Sequence, residues 1–226
     1  MPEPQVPWRF RAVAFDLDGL LIDTEPLFRE TMRAVLERRK IRFDPSFMHS
    51  MMGVPAAQSL PRMRERFGLC ESVPELAEEC KETFLTLLGD GRAPLMPGVP
   101  ALLDWLQRRD VPLAIVTSSG RPFVNHVFGP HGLLDRFRFV LTSDDVSNGK
   151  PHPDVYLLAA KRFGVSSPEM IVLEDSPNGL RAAKAAGARC IVVPHQHTDR
   201  DDLHEADAVV PSLESPEFRR LIGWID

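Results

Sequence analysis

The sequence predicts an α/β protein: a parallel sheet with helices on both faces, and a small all-helical domain inserted after the first strand. Three observations predict it. Short apolar runs alternate with longer helical patterns along most of the chain. One stretch, from about Leu27 to Ala93, carries no convincing strand. Acids, hydroxyls and a lysine follow the apolar runs, and ligands of open parallel sheets bind beyond the carboxyl ends of the strands.

The elements follow in order. Ala12 to Phe15 reads as the first strand. Leu27, Phe28, Met32, Val35 and Leu36 then recur at helical spacing, and the clearest of the later helical patterns lies around Leu76 to Leu88. Gly89, Gly91 and the Pro94 to Pro100 segment punctuate the return to alternation. Hinges are expected near Glu25–Pro26 and Arg92–Pro97. The expected domains are therefore a core of residues 1–26 and 94–226 and a helical insertion of residues 27–93. Within the core, Leu113 to Val116, Phe137 to Leu141, Ile171 to Leu173 and Cys190 to Val193 read as strands, with Ala206 to Val210 as one more. Val99, Leu102, Leu103 and Leu106 mark one helix, and Val155, Leu158, Ala159 and Phe163 another. A further helix follows Pro177, with Gly187 where a C-terminal cap belongs.

Composition narrows the function classes. A chain of 226 residues, 43% hydrophobic and 26% charged, suits one core domain carrying a small insertion. The net charge of −5 argues against nucleic-acid binding. The apolar stretches are too short and interrupted to span a bilayer. Met1 to Trp8 has prolines and no apolar centre, so no signal peptide is expected. Cys70, Cys80 and Cys190 lack paired metal spacing and read as reduced thiols of a cytoplasmic protein. No long apolar stripe stands out, so a monomer is expected.

Four strand ends carry the chemistry. The first runs into Asp16-Leu17-Asp18-Gly19. Strand side chains alternate, so Asp16 and Asp18 project the same way while the strand geometry lasts. Two desolvated carboxylates repel, and a hard divalent cation is the natural compensation. The second end is Thr117-Ser118-Ser119-Gly120, whose hydroxyl and amides suit a phosphate oxygen but also suit the start of a helix. The third is Gly149-Lys150-Pro151, a lysine held between two conformationally special residues before a helix; it can neutralise a transferring phosphoryl group or be an ordinary solvated lysine. The fourth, Glu174-Asp175-Ser176-Pro177-Asn178-Gly179, offers two more acids or a helix cap.

Taken together, these matches resemble the haloacid dehalogenase superfamily. Asp16-Leu17-Asp18-Gly19 with Asp23-Thr24-Glu25, Thr117-Ser118-Ser119, Gly149-Lys150-Pro151 and Glu174-Asp175-Ser176-Pro177-Asn178-Gly179 stand in that family's order and spacing. The subgroup with this first motif is similar to sugar-phosphate and nucleotide phosphatases and to β-phosphoglucomutase. It has a Rossmann-like core and a helical cap after the first strand. The resemblance implies that Asp16 is the nucleophile and forms an aspartyl-phosphate, and that Asp18 is the general acid and base. It implies that Thr117, Ser118 and Lys150 bind the phosphoryl group. Mg²⁺ would be held by Asp16, the backbone carbonyl of Asp18 and Asp175, with Glu174 close by or ligating through water.

The function expected on this resemblance is a Mg²⁺-dependent phosphatase acting on a small-molecule phosphate ester. A phosphomutase and a non-catalytic binding protein on the same fold are the rivals. The chain keeps Asp16 and Lys150, which disfavours the binding protein, and Asp18 disfavours dehalogenase and phosphonate-cleaving chemistry. β-Phosphoglucomutase carries a histidine where this chain has Phe28, and an arginine shortly after its Gly-Val pair where Gly53-Val54 is followed here by Pro55-Ala56-Ala57. Both departures favour hydrolysis over return of the phosphate to a sugar.

Overall fold

The computed structural model describes residues 7–49, 51, 56–89, 93–195, 198 and 201–224. The Gly53–Pro55 segment and the Arg92 end of the second expected hinge lie outside the described residues. The chain divides into two compact units, Met1–Ile22 with Pro94–Asp226, and Asp23–Ala93.

The Asp23–Ala93 unit is helical: α1 (Glu25–Glu37), α2 (Pro45–His49), α3 (Ala56–Phe67) and α4 (Val73–Leu88). Glu25–Pro26, near which a hinge is expected, opens α1; proline in a first turn loses no hydrogen bond, because that amide has no helical acceptor. Val35, Met51, Leu60, Met63, Leu69 and Leu76 form the unit's own apolar core. A capping box of Ser72 and Glu75 starts α4 by satisfying amides that the helix leaves unpaired. Arg39 is clamped between Glu71, at 2.6 Å, and Glu79, tying the end of α1 to α4 and the segment before it.

The other unit holds the sheet: β1 (Ala12–Phe15), β2 (Leu113–Val116), β3 (Phe139–Leu141), β4 (Met170–Glu174), β5 (Arg189–Val192) and β6 (Ala208–Val209). The order is β3-β2-β1-β4-β5-β6, with every pair parallel. Successive strands run outward from β1 in both directions, so the order reverses beside it, and the ends of β1 and β4 flank that switch point. The helices are α5 (Val99–Gln107), α6 (Arg121–Val127), α7 (Asp154–Phe163), α8 (Pro177–Ala185) and α9 (Pro216–Ile222).

Strand alternation sorts the core onto two faces. Ala12, Ala14, Ala114, Val116, Val172 and Cys190 pack with Val155, Tyr156 and Ala159 of α7 and Leu180 and Ala183 of α8. The small strand residues there let the helices approach closely. Their neighbours Val13, Ile171 and Leu173 point the other way and meet Leu102, Leu106, Phe218 and Ile222 of α5 and α9. The sheet is thus covered on both sides, as its near-continuous apolar strands require.

Two strands are shorter than their apolar runs. Phe137 closes a turn by donating its amide to Leu134, and its ring meets Phe15 and Phe128 edge-on, so β3 begins at Phe139. β6 keeps only Ala208 and Val209, because the Asp207 carboxylate is turned to Lys184 at 2.7 Å and the Cys190 amide at 2.8 Å.

Candidate active site

Asp16 is the first residue beyond β1. It continues the Ala12–Ala14 series, so its side chain leaves the sheet on the α7 side. On β4, Met170, Val172 and Glu174 share one face. Phe15 pairs with Leu173, and the Asp16 amide donates to the Leu173 carbonyl at 3.0 Å, which brings Asp16 alongside Glu174. Two carboxylates from residues distant in sequence are thereby fixed on one side of a parallel pair.

Lys150, from the loop before α7, answers both. Its Nζ donates to Asp16 Oδ1 at 2.6 Å, to Glu174 Oε1 at 2.6 Å and to the Val116 carbonyl at 2.9 Å. Its side chain is only 4% exposed, so it is no solvated loop lysine. Burial alone would lower its pKa; the Asp16 and Glu174 carboxylates outweigh burial and raise it, so the ammonium is a permanent cation. Glu174 is fully buried and its oxygens are committed. Oε1 also accepts from the Tyr156 hydroxyl at 2.6 Å, and Oε2 accepts from the Ser176 hydroxyl at 3.0 Å and from the Asp175 and Ser176 amides.

The rest of the predicted set surrounds this centre. Thr117 is buried at the end of β2, and its hydroxyl accepts from the Ser119 amide at 3.0 Å. Ser119 donates its own hydroxyl to Asp18 Oδ2 at 2.8 Å, while Ser118 is exposed. Gly19 sits at φ 82°, a left-handed conformation that glycine adopts freely, and a Cβ there would come within 2.5 Å of Asp175 Oδ2. Gly179 is as strictly confined: a Cβ on it would fall within the Glu174 carboxyl group. Two residues after β5 reach the same loops. His195 Nε2 reaches the Gly19 carbonyl, and Thr198 donates to the Asp175 carbonyl at 3.0 Å.

Oxygen donors of Asp16, Glu174 and Asp175 lie within 4.8 Å of one another. Burial pushes the Asp16 carboxyl up to about 7 against the pull of Lys150, with Glu174 and Asp18 adding to the rise. Burial and the charges of Asp16 and Glu174 hold Asp175 well above the ordinary carboxylate range. One lysine therefore does not balance these acids. An all-oxygen, charge-deficient cluster at a strand end fits a hard divalent cation.

Tyr156, His195 and Thr198 did not emerge from the sequence as site residues, and Ser119 and Ser176 emerged only as parts of their motifs. Tyr156 falls within the apolar stripe of α7 and reads as core; only its being the chain's sole tyrosine singles it out. The serines read as caps, which Ser176 also is, through the Gly179 amide.

Residues 13–193 match the family described as haloacid dehalogenase-like hydrolase. The chain belongs to this family. Among haloacid dehalogenase-like relatives, it is 35% identical over 211 residues to a phosphorylated carbohydrates phosphatase of Thermotoga maritima, covering 91% of this chain and 94% of that one. It is 34% identical over 204 residues to a validoxylamine A 7′-phosphate phosphatase of Streptomyces hygroscopicus subsp. limoneus, covering 90% and 94%. A crystal structure of CbbY from Rhodobacter sphaeroides in complex with phosphate superposes with a TM-score of 0.77 at 28% identity, over 94% of this chain and 99% of that one. No helix among the described residues is long and apolar enough to cross a membrane.

Proposed function

We propose that the chain is a Mg²⁺-dependent phosphatase that hydrolyses a small phosphorylated metabolite, a sugar phosphate or nucleoside monophosphate, through an aspartyl-phosphate on Asp16. The observation that carries this reading is the Lys150 ammonium bonded at 2.6 Å to Asp16 Oδ1, at the end of β1, with Asp18, Thr117 and Asp175 around it. The phosphatase names of the relatives over nine-tenths of the chain agree with it.

In this reading an Asp16 carboxylate oxygen attacks phosphorus in line. The bond from phosphorus to the ester oxygen breaks, and protonated Asp18 gives its proton to the departing alcohol. Asp18, now a carboxylate, takes a proton from water as that water attacks the same phosphorus and the bond from phosphorus to the Asp16 oxygen breaks. The products are inorganic phosphate and the free Asp16 carboxylate. Ser119 holds Asp18 near this path at 2.8 Å. Lys150, the Thr117 hydroxyl and the Ser118 amide receive the phosphoryl oxygens.

Asp16, the Asp18 carbonyl and Asp175 would hold the Mg²⁺, which when bound offsets the negative charge of carboxylates and phosphate. Glu174 is assigned the smaller direct share, because both its oxygens already accept protein hydrogen bonds. The helical unit, residues 27–93 on the expected boundaries, is assigned the cap's role of choosing the leaving group and excluding water. Phe28 supports hydrolysis over the mutase reading: its ring packs on Phe84 at 4.9 Å and offers no proton-transfer group.

The test is phosphate release from a panel of sugar, polyol and nucleoside monophosphates, with Mg²⁺ and after chelation. Hydrolysis of at least one ester, absent in Asp16→Asn and after chelation, is expected. Full turnover by Asp16→Asn, or no release from any ester by the intact protein, overturns the assignment.

A further inference from the structure

Tyr156 is the chain's one tyrosine, and it is fully buried. A phenol is an unusual choice for such a position, since a buried hydroxyl without a partner is unfavourable and phenylalanine would fill the same space. Its hydroxyl has a partner, and that partner is Glu174 Oε1, the same oxygen that accepts from Lys150. The Lys150 Nζ also lies 5.0 Å from the centre of the Tyr156 ring. Burial, with Glu174 and Asp16 nearby, pushes the phenol well above its ordinary pKa, so the hydroxyl remains a donor.

An ammonium has three protons, and all three of Lys150 are engaged, by Asp16, Glu174 and the Val116 carbonyl. To grip an incoming phosphoryl oxygen, Lys150 must loosen one of these bonds. A carboxylate oxygen that accepts from two donors holds each less tightly than an oxygen that accepts from one. The Tyr156 hydroxyl thus fixes where Glu174 Oε1 stands and weakens its claim on the ammonium.

We propose that Tyr156 is a positioning residue: through Glu174 Oε1 and its ring it aims the Lys150 ammonium at Asp16 and leaves it free to turn to the phosphoryl group. It touches no reacting atom. The consequence for turnover rests on the phosphatase reading, whereas the placement of Lys150 does not. A ring without the hydroxyl would leave Glu174 Oε1 to Lys150 alone, draw Nζ toward Glu174 and reduce the charge available in the transition state.

The experiment compares Tyr156→Phe with wild type and with Phe163→Leu, a packing control. Phe163 is a buried residue on the same helix whose ring meets Phe139. Two quantities are read. One is the side-chain ¹⁵N resonance of Lys150, whose buried, fully bonded ammonium exchanges slowly with water; it is assigned by its loss in Lys150→Arg. The other is kcat and KM on the best ester of the panel. Tyr156→Phe is expected to fold like wild type, to shift the Lys150 resonance, and to lower kcat by about tenfold with KM nearly unchanged, the pattern of a lost transition-state interaction. Phe163→Leu is expected to lower the melting temperature and move neither readout. An unmoved Lys150 resonance in Tyr156→Phe, or a Tyr156→Phe that only loses stability as the control does, overturns the proposal. If wild type hydrolyses no ester, the phosphatase reading falls, and the resonance alone decides for or against Tyr156.

Discussion

Replacing Asp16 by asparagine should destroy turnover and at the same time stabilise the metal-free protein. The Asp16 carboxyl is raised from 3.8 to about 7, first by burial and then by Glu174 and Asp18, with Lys150 offsetting only part. A carboxyl raised in the folded state favours folding below its unfolded pKa, and that support is lost as pH rises through the folded value. Asparagine is uncharged at every pH, keeps a carbonyl oxygen for Lys150 and has an amide for the neighbouring acids. From 3.8 unfolded and about 7 folded, linkage puts the advantage of the variant at about 4 kcal/mol near pH 7.5, against about 2 kcal/mol near pH 5. At roughly 2–4 °C per kcal/mol for a chain of this length, the melting-temperature gap should widen by roughly 4–8 °C between those two conditions. The assay is thermal unfolding of both proteins in chelator across that range, repeated with excess Mg²⁺. The cation should stabilise wild type more than the variant and narrow the gap, because asparagine is the poorer ligand. A variant no more stable than wild type near pH 7.5 in chelator, or a gap that does not depend on pH, would refute the reasoning.

Three other outcomes follow from the same geometry. Lys150→Met should lower kcat by about 10²–10³-fold, since it removes the cation bonded to Asp16; retention of a tenth of wild-type turnover contradicts that role. Gly179→Ala should lower stability by about 1–3 kcal/mol or more and impair turnover, because its Cβ would overlap the Glu174 carboxyl; denaturant unfolding beside the phosphate assay checks it, and wild-type values in both rule it out. With β-glucose 1-phosphate and a trace of the bisphosphate, phosphorus NMR should show free phosphate rather than accumulating glucose 6-phosphate, and efficient isomerisation would favour the mutase.

The parts of the molecule set by local pattern were legible in the sequence. Ala12–Phe15 and Leu113–Val116 are strands with the expected bounds, because a buried parallel strand is an unbroken apolar run closed by polar residues. The polar residues at their ends stand out for the same reason, since Asp16, Thr117 and Glu174 each interrupt such a run. What was not legible depends on partners far along the chain. Nothing near Tyr156 in sequence reveals that its hydroxyl meets Glu174, and nothing near Ser119 reveals Asp18. His195 follows an apolar strand as any loop histidine does; its approach to Gly19 exists only once the sheet has formed. The α3 helix was hard to read because Pro61 lies inside it and interrupts the helical pattern.

The pairing of β1 with β4 has a consequence for how the chain comes alive during synthesis. β1, and with it Asp16, leaves the ribosome before the helical unit, β2 and β3; β4, which must lie beside it, follows all of them. Until then Asp16 has neither Glu174 nor Asp175 in reach. Joining the two strands closes a loop that contains the whole helical unit, a step of high contact order that is expected to be slow. The helical unit has its own apolar core and its own Arg39 clamp, so it can begin to condense while the sheet is still waiting. Assembly of the acidic cluster is therefore a late event, and a nascent chain that stalls before β4 carries Asp16 without the two acids that complete the cluster.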